Sequence, residues 1–298
     1  MTAATTLRIG SHPMNFSLFI LRRRNVLEPL AQARGWQVQW LDYAEGRHSG
    51  DYLACNELDW VGTGSTPPLY SQANGVDLAY VAASASRATG SALLVRHDSD
   101  LHSLAQLEGA RIAATAGSYT DHFIAQALHD NHLSYRDVQV LDLPGRAGEQ
   151  ALLEGQVEAW AALEPLLSQR LAAGDVRVLG AVGDFIPNRS LYWARRDWLR
   201  QAPEQARLVY SALADNDRWI AEHLQEAAQI MADAHDSAVD AAGWATTLAQ
   251  RPWGIQPADS TIVGEQQRQA RLLYDAGLLA SPLDGITGID LSSPGAHP

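Results

Sequence analysis

Short apolar runs alternate with stretches of helical spacing from the start of the chain. Residues Thr6–Ser11, 38–43, 58–64 and 78–83 read as buried strands, while residues 16–34 and Pro67–Ala73 between them carry helical periodicity. Strand and helix in strict alternation predict parallel pairing in a doubly wound sheet. Residues 92–96, 111–115, 138–143 and 160–164 repeat the scheme, with helices over 119–129 and 149–153. Two more strands, 177–180 and 190–194, precede a region from 203 to 279 that is nearly all helical and rich in Ala, Gln and Leu. The expected architecture is two α/β lobes, residues 1–86 with 185–298 forming the first and 87–184 the second. A chain that crosses twice between lobes makes a cleft with a hinge, and small ligands bind at the C-terminal ends of parallel strands. The tail from Ser292 has turn and linker composition and is expected to lack order.

Composition narrows the chemistry. At 298 residues the chain is long enough for two domains, and its 46% hydrophobic content supplies cores that need no disulfide or metal. Its single cysteine, Cys55, forms no internal disulfide and, on an amphipathic helical stretch, reads as a buried inert thiol. Every one of the 22 basic residues is arginine. Without a lysine amine there is no Schiff base, no lysine-bound pyridoxal phosphate and no P-loop. A net charge of −12 argues against nucleic acid as a partner, and the one basic run, Arg22-Arg23-Arg24, reads as a solvated helix face. No stretch approaches the roughly 20 consecutive apolar residues of a bilayer span. The N-terminal residues carry no basic and apolar leader pattern. The expectation is a periplasmic or cell-envelope protein if a leader was removed, and a cytoplasmic one if the sequence is complete.

Candidate chemistry concentrates at strand-to-helix junctions. In Gly62-Thr63-Gly64-Ser65-Thr66-Pro67-Pro68 a strand ends in small and hydroxyl residues before a proline suited to a first helical turn. Ala116-Gly117-Ser118-Tyr119 repeats this in the second lobe. Helix N-termini with hydroxyls bind anions, so Ser65, Thr66, Ser118 and Tyr119 are candidate ligand contacts; the same serines and threonine are also ordinary helix caps. Glu164, ending a strand that begins at Trp160, either orients a ligand group or caps the next helix. Arg47 or His48 is placed at the cleft rim, and Arg87, near the first crossing, is a candidate counter-ion. No G-x-S-x-G, H-E-x-x-H or C-x-x-C signature is present, His129 and His132 read as a surface helix end, and neither cofactor nor metal is expected.

Several of these residues carry a resemblance. Leu58-Asp59, Gly62-Thr63-Gly64, Pro67-Pro68, Gln72-Ala73, Gly75 and residues 77–81 resemble the periplasmic aliphatic sulfonate-binding proteins of ABC importers, related to taurine and nitrate binders. The likeness continues through residues 107–112, Gly117-Ser118, residues 155–160, Glu164-Pro165 and Arg251-Pro252, covering nearly the whole chain. It implies a type II periplasmic binding protein fold and a monomer that hands a small organic anion, an alkane- or arylsulfonate, to an importer permease. It also implies Ser65, Thr66, Ser118 and Tyr119 at the anion and Trp160 and Glu164 on the second lobe's wall. Three departures point to an aromatic or larger ligand. Ser65 stands where many members are acidic, Tyr119 where they carry a small hydroxyl residue, and His12 in the first-strand loop faces the cleft. The same fold hosts a desulfinase that cleaves C–S bonds with a cysteine in that loop, which here has none, and a pyridoxal-dependent branch that needs lysine. A cytoplasmic ligand-sensing protein is the remaining alternative.

Overall fold

The computed structural model describes residues 6–234 and 239–292; most of the tail expected to lack order lies outside them. Eleven strands form two sheets among the described residues. The first contains β1 (Thr6–Ser11), β2 (Gln37–Asp42), β3 (Trp60–Thr63), β4 (Leu78–Ser84), β10 (Leu191–Arg195) and β11 (Ile255–Pro257), in the order β2-β1-β3-β10-β4-β11. The second contains β5 (Ser91–Arg96), β6 (Arg111–Ala114), β7 (Gln139–Asp142), β8 (Ala159–Leu163) and β9 (Val176–Ala181), in the order β7-β6-β8-β5-β9. Helices α1 (Phe16–Arg23), α2 (Leu27–Gln32), α3 (Ser49–Ala54) and α4 (Pro67–Ala73) connect strands of the first sheet. In the second, α5 (Tyr119–Asp130), α6 (Arg146–Leu153) and α7 (Leu166–Ala173) do the same. The C-terminal region supplies α8 (Arg196–Gln201), α9 (Pro203–Glu222), α10 (Leu224–Ala234), α11 (Ala241–Ala249) and α12 (Ser260–Asp275). No described helix is long and apolar enough to cross a membrane.

This is the expected two-sheet α/β fold with one refinement. β1, β2 and β3 pair in parallel, as do β6, β7 and β8, but β10 runs antiparallel between β3 and β4, and β5 antiparallel between β8 and β9. Those two strands arrive by crossing from the other sheet rather than over a helix on the same one, so no βαβ geometry forces them parallel. The fully buried β4 is packed on both faces, with Leu7, Leu18, Leu199 and Leu213 in one apolar layer and Leu53, Leu69, Trp193 and Ile262 in another. The second sheet likewise has Phe123 and Ile124 in one layer and Leu152 and Trp160 in the other.

Three further expectations change. The continuous helix over 16–34 is two helices, because Asn25 takes a left-handed φ of 51°, a conformation Asn tolerates, and turns the chain. Cys55 is exposed, not buried: α3 ends at Ala54, and Leu53 takes the core position on its inner face. The arginine triplet is bonded rather than merely solvated, with Arg23 stacked on Phe19, Arg24 stacked on Trp219 and Arg22 paired with Asp42.

The two crossings lie side by side. Arg87 N donates to Pro187 O at 2.9 Å and Ser84 N to Ser190 O at 2.8 Å. A Cβ on Gly183 would fall 2.4 Å from Ala88 Cα, so this approach requires glycine. These segments form the floor between the sheets.

Candidate functional site

A cavity of about 420 Å³ opens above that floor, walled by both sheets. Of the candidate residues, His12, Arg87, Ser118, Tyr119, Trp160 and Glu164 line it. His48, Ser65 and Thr66 do not. His48 is 55% exposed and turns outward to Asp51 at 3.3 Å, because it follows Arg47 in a tight 3-10 turn that gives the inward direction to Arg47. Ser65 faces the other way, its Oγ 3.4 Å from His122 Nδ1 beside a second cavity of about 140 Å³. Thr66 is fully buried and its Oγ1 accepts from Gln269 Nε2 at 2.9 Å.

The expectation that junction hydroxyls bond an anion meets a local obstacle. Ser118 Oγ donates to Thr115 O at 2.7 Å and accepts from Thr120 N at 3.2 Å, so its proton is already committed. Gly117 N donates to the buried Asp121 carboxylate at 2.8 Å. At the first junction Pro67 and Pro68 open α4 without N–H groups, removing donors that a helix N-terminus otherwise offers.

Positive charge enters elsewhere. Arg87 is tethered by Ser190 Oγ at 2.9 Å and Asn188 Oδ1 at 3.3 Å, and both partners also line the cavity. Arg251, which follows α11, stacks over Phe16 with its guanidinium carbon 4.4 Å from the ring centroid. Among the described residues no acceptor bonds that guanidinium, which faces the cavity. Burial, and secondarily the charge of Arg87, push its pKa down to about 9. Burial also lowers Arg87, and Asp217, behind the pair with Gly254 N at 3.2 Å, offsets only one of the two charges. A desolvated cation in excess attracts an anion into the site. Arg251 was legible only as part of the family likeness; a lone arginine after a helix far along the chain carries no local signal.

The remaining walls are largely apolar. Trp160, Met14, Phe16, Leu163 and Leu166 supply aromatic and aliphatic surface. Tyr119 OH donates to Ser91 Oγ at 2.7 Å, and burial raises its pKa to about 12. His12 Nε2 lies 2.9 Å from Gly62 O and therefore carries the proton; burial lowers the ring to about 4, so it is neutral near pH 7 and offers no cation. Arg47 bridges the two sheets at the rim, donating to Ala116 O at 3.0 Å and to Asp142 Oδ2 at 2.8 Å. Glu164 is 8% exposed, with its oxygens accepting from Ser168 Oγ at 2.6 Å and Ser168 N at 3.2 Å. Among the described residues no cluster of His, Cys, Asp and Glu is arranged to hold a metal, and Cys55 is not one of the residues lining the cavity.

Known proteins share this fold. The chain is similar to the periplasmic aliphatic sulphonate binding protein SsuA of Escherichia coli, with 25% identity, a TM-score of 0.85, and coverage of 95% of this chain and 91% of that one. It is similar to the alkanesulfonate-binding protein SsuA of Xanthomonas axonopodis pv. citri bound to MOPS, with 27% identity, a TM-score of 0.84, and coverage of 95% and 97%. A relative in Bacillus subtilis (strain 168), whose name assigns it to aliphatic sulfonate binding, is 27% identical over 233 residues, 77% of this chain and 70% of its own length. The profile of the family described as NMT1/THI5 like matches residues 32–227, about two thirds of the sequence, and the chain belongs to that family.

Proposed function

We propose that this protein is a solute-binding protein that captures a small organic sulfonate between its lobes and presents it to an ABC importer in the cell envelope. One lobe comprises residues 1–86 and 185–298, the other 87–184, and the crossings beside Arg87 and Pro187 act as the hinge. The observation that carries the reading is the pair Arg87 and Arg251, two desolvated guanidiniums lining a mostly apolar cavity between the sheets with one charge uncompensated. A sulfonate puts three acceptor oxygens against the guanidiniums and its organic part against Trp160, Phe16 and Met14. The likeness to sulfonate-binding proteins over nearly the whole chain supports the same ligand class. Arg47, bonded across the rim, contributes contacts that exist only when the lobes meet, which is how ligand binding shifts a population toward closure.

Titration calorimetry against alkanesulfonates and arylsulfonates, with recovery of each compound by mass spectrometry, tests this. The expected result is saturable binding of one equivalent recovered intact. Chemical alteration of the compound would replace the reading with an enzymatic one, and failure of every sulfonate to bind would remove it.

A further inference from the structure

Behind the second junction a buried carboxylate ties the two sheets together. Asp121, in the first turn of α5, is 3% exposed and does not line the cavity. Its Oδ2 accepts from Gly117 N at 2.8 Å and from Tyr70 OH at 2.9 Å, and its Oδ1 accepts from Tyr135 OH at 3.3 Å. Gly117 and Tyr135 lie on connections of the same sheet as α5, but Tyr70 lies on α4, a connection of the other. A single oxygen thus joins the turn that presents Ser118 and Tyr119 to the cavity with the helix that begins at the first junction. Among the described residues no arginine or histidine pairs with this carboxylate. Burial raises its pKa even with all three donors in place, so each donor offsets part of a desolvation cost.

The packing around this contact leaves it able to open. Among the described residues, Ala125 is the single buried residue of 87–184 in the apolar layers around the first sheet. Parting the sheets here exposes little apolar surface, so the polar bonds carry much of the balance. Once the sheets part, water takes the place of the Tyr70 hydroxyl on Asp121. While they meet, that oxygen has the hydroxyl or a lost bond in a buried place. From this geometry we infer that Tyr70 and Asp121 form a latch that favours the closed form, fastening α4 of one lobe to the second junction of the other. Asp121 is a positioning residue, acting on the ligand through Gly117 and the turn that follows it. This rests on the reading of two lobes closing on a ligand and adds the pair that sets how far closure is favoured.

The test is titration calorimetry with butane-1-sulfonate and benzenesulfonate on the wild type and on Tyr70→Phe, which keeps the ring and removes the hydroxyl. Whichever sulfonate binds should bind Tyr70→Phe about tenfold more weakly or worse, the range of hydrogen bonds to charged groups. The ligand-free melting temperature should stay within about 2 °C of wild type, because the open form replaces the hydroxyl with water. In the Asp121→Asn background, Tyr70→Phe should change affinity by less than about twofold, since the two residues act as a unit. A loss below about threefold in Tyr70→Phe overturns the inference, as does a full loss that persists in the Asp121→Asn background. A fall in the ligand-free melting temperature beyond that margin also overturns it, since the contact is then a permanent part of the fold. If neither sulfonate binds, the sulfonate reading falls, and the latch is judged on the ligand-free protein. Spin labels on the exposed Cys55 and on Ala172→Cys should then lie farther apart in Tyr70→Phe than in the wild type, and equal separations overturn the latch.

Discussion

The two strand-to-helix junctions look alike along the chain and behave differently in the fold. Gly64-Ser65-Thr66-Pro67 turns its hydroxyls away from the cavity, Ser65 toward His122 and Thr66 into a buried bond with Gln269. Gly117-Ser118-Tyr119 keeps Ser118 on the cavity but spends its proton on Thr115 O. The junctions nevertheless meet, since a Cβ on Gly64 would lie 3.1 Å from Tyr119 Cβ. The difference teaches that a hydroxyl after a strand marks a turn, while what packs behind the turn decides whether the hydroxyl serves a ligand or the fold. The positive charge on the cavity wall lies outside both junctions, at Arg87 and Arg251.

The largest expected effect tests that last contrast. Arg251→Gln should weaken sulfonate binding by about 2–4 kcal/mol, the cost of truncating a desolvated charged contact. Melting of the ligand-free protein should change little, because the lost stacking on Phe16 is offset by relief from the charge of Arg87. If Ser118→Ala weakens binding more than Arg251→Gln does, the junctions and not the arginines seat the anion.

The hydroxyls themselves sharpen the comparison. Thr66→Ala strands the Nε2 donor of the buried Gln269 and should cost about 1–3 kcal/mol of unfolding free energy in urea while leaving ligand affinity unchanged. Ser118→Ala should cost about 1 kcal/mol of stability through the lost cap on Thr120 N. An affinity loss in Thr66→Ala without a stability loss would reverse the roles assigned here. Where the junctions touch, Gly64→Ala presses on Tyr119 and should reduce affinity by up to about 1 kcal/mol, since only the closed form holds the two backbones that close. Equal affinity in calorimetry would mean that Tyr119 yields.

Much of the fold was legible because it rests on local periodicity. β1 and α4 fall on the bounds their apolar spacing predicts, and the switch to helix after residue 203 follows composition. The antiparallel entry of β5 and β10 was not legible, because strand direction depends on where a crossing lands. The break at Asn25 was hidden for another reason: apolar spacing continues through a one-residue turn. At the site, residues at strand ends such as Glu164 and Trp160 were visible from position alone. Inward or outward direction was not, as Arg47 and His48 show on neighbouring positions. Arg251 depends on a contact with Phe16 across more than two hundred residues, which no window of sequence contains.

Acid separates the two sides of the comparison by a smaller effect per residue. His12 backs the first junction through Gly62 O, and His122, on α5, meets Ser65 of that junction from the other lobe. Burial lowers His12 to about 4 and His122 to about 3, against 6.5 for an exposed ring. A depressed histidine pKa means the unfolded chain binds protons that the folded one refuses, so the stabilisation is complete above about pH 6.5 and is lost as pH falls toward those values. Each ring should cost about 1 kcal/mol of stability one pH unit below 6.5. Asp121 and Asp217, whose carboxyls burial raises, act in the opposite sense, and Arg189, Glu265 and Arg268 surround the small cavity that His122 lines. Replacing each ring in turn isolates its share. His122→Gln should flatten the acid dependence of both stability and sulfonate affinity, since its burial requires the lobes to meet. If affinity keeps its full acid dependence in His122→Gln while stability does not, the lobes shield His122 without the ligand, and closure precedes binding.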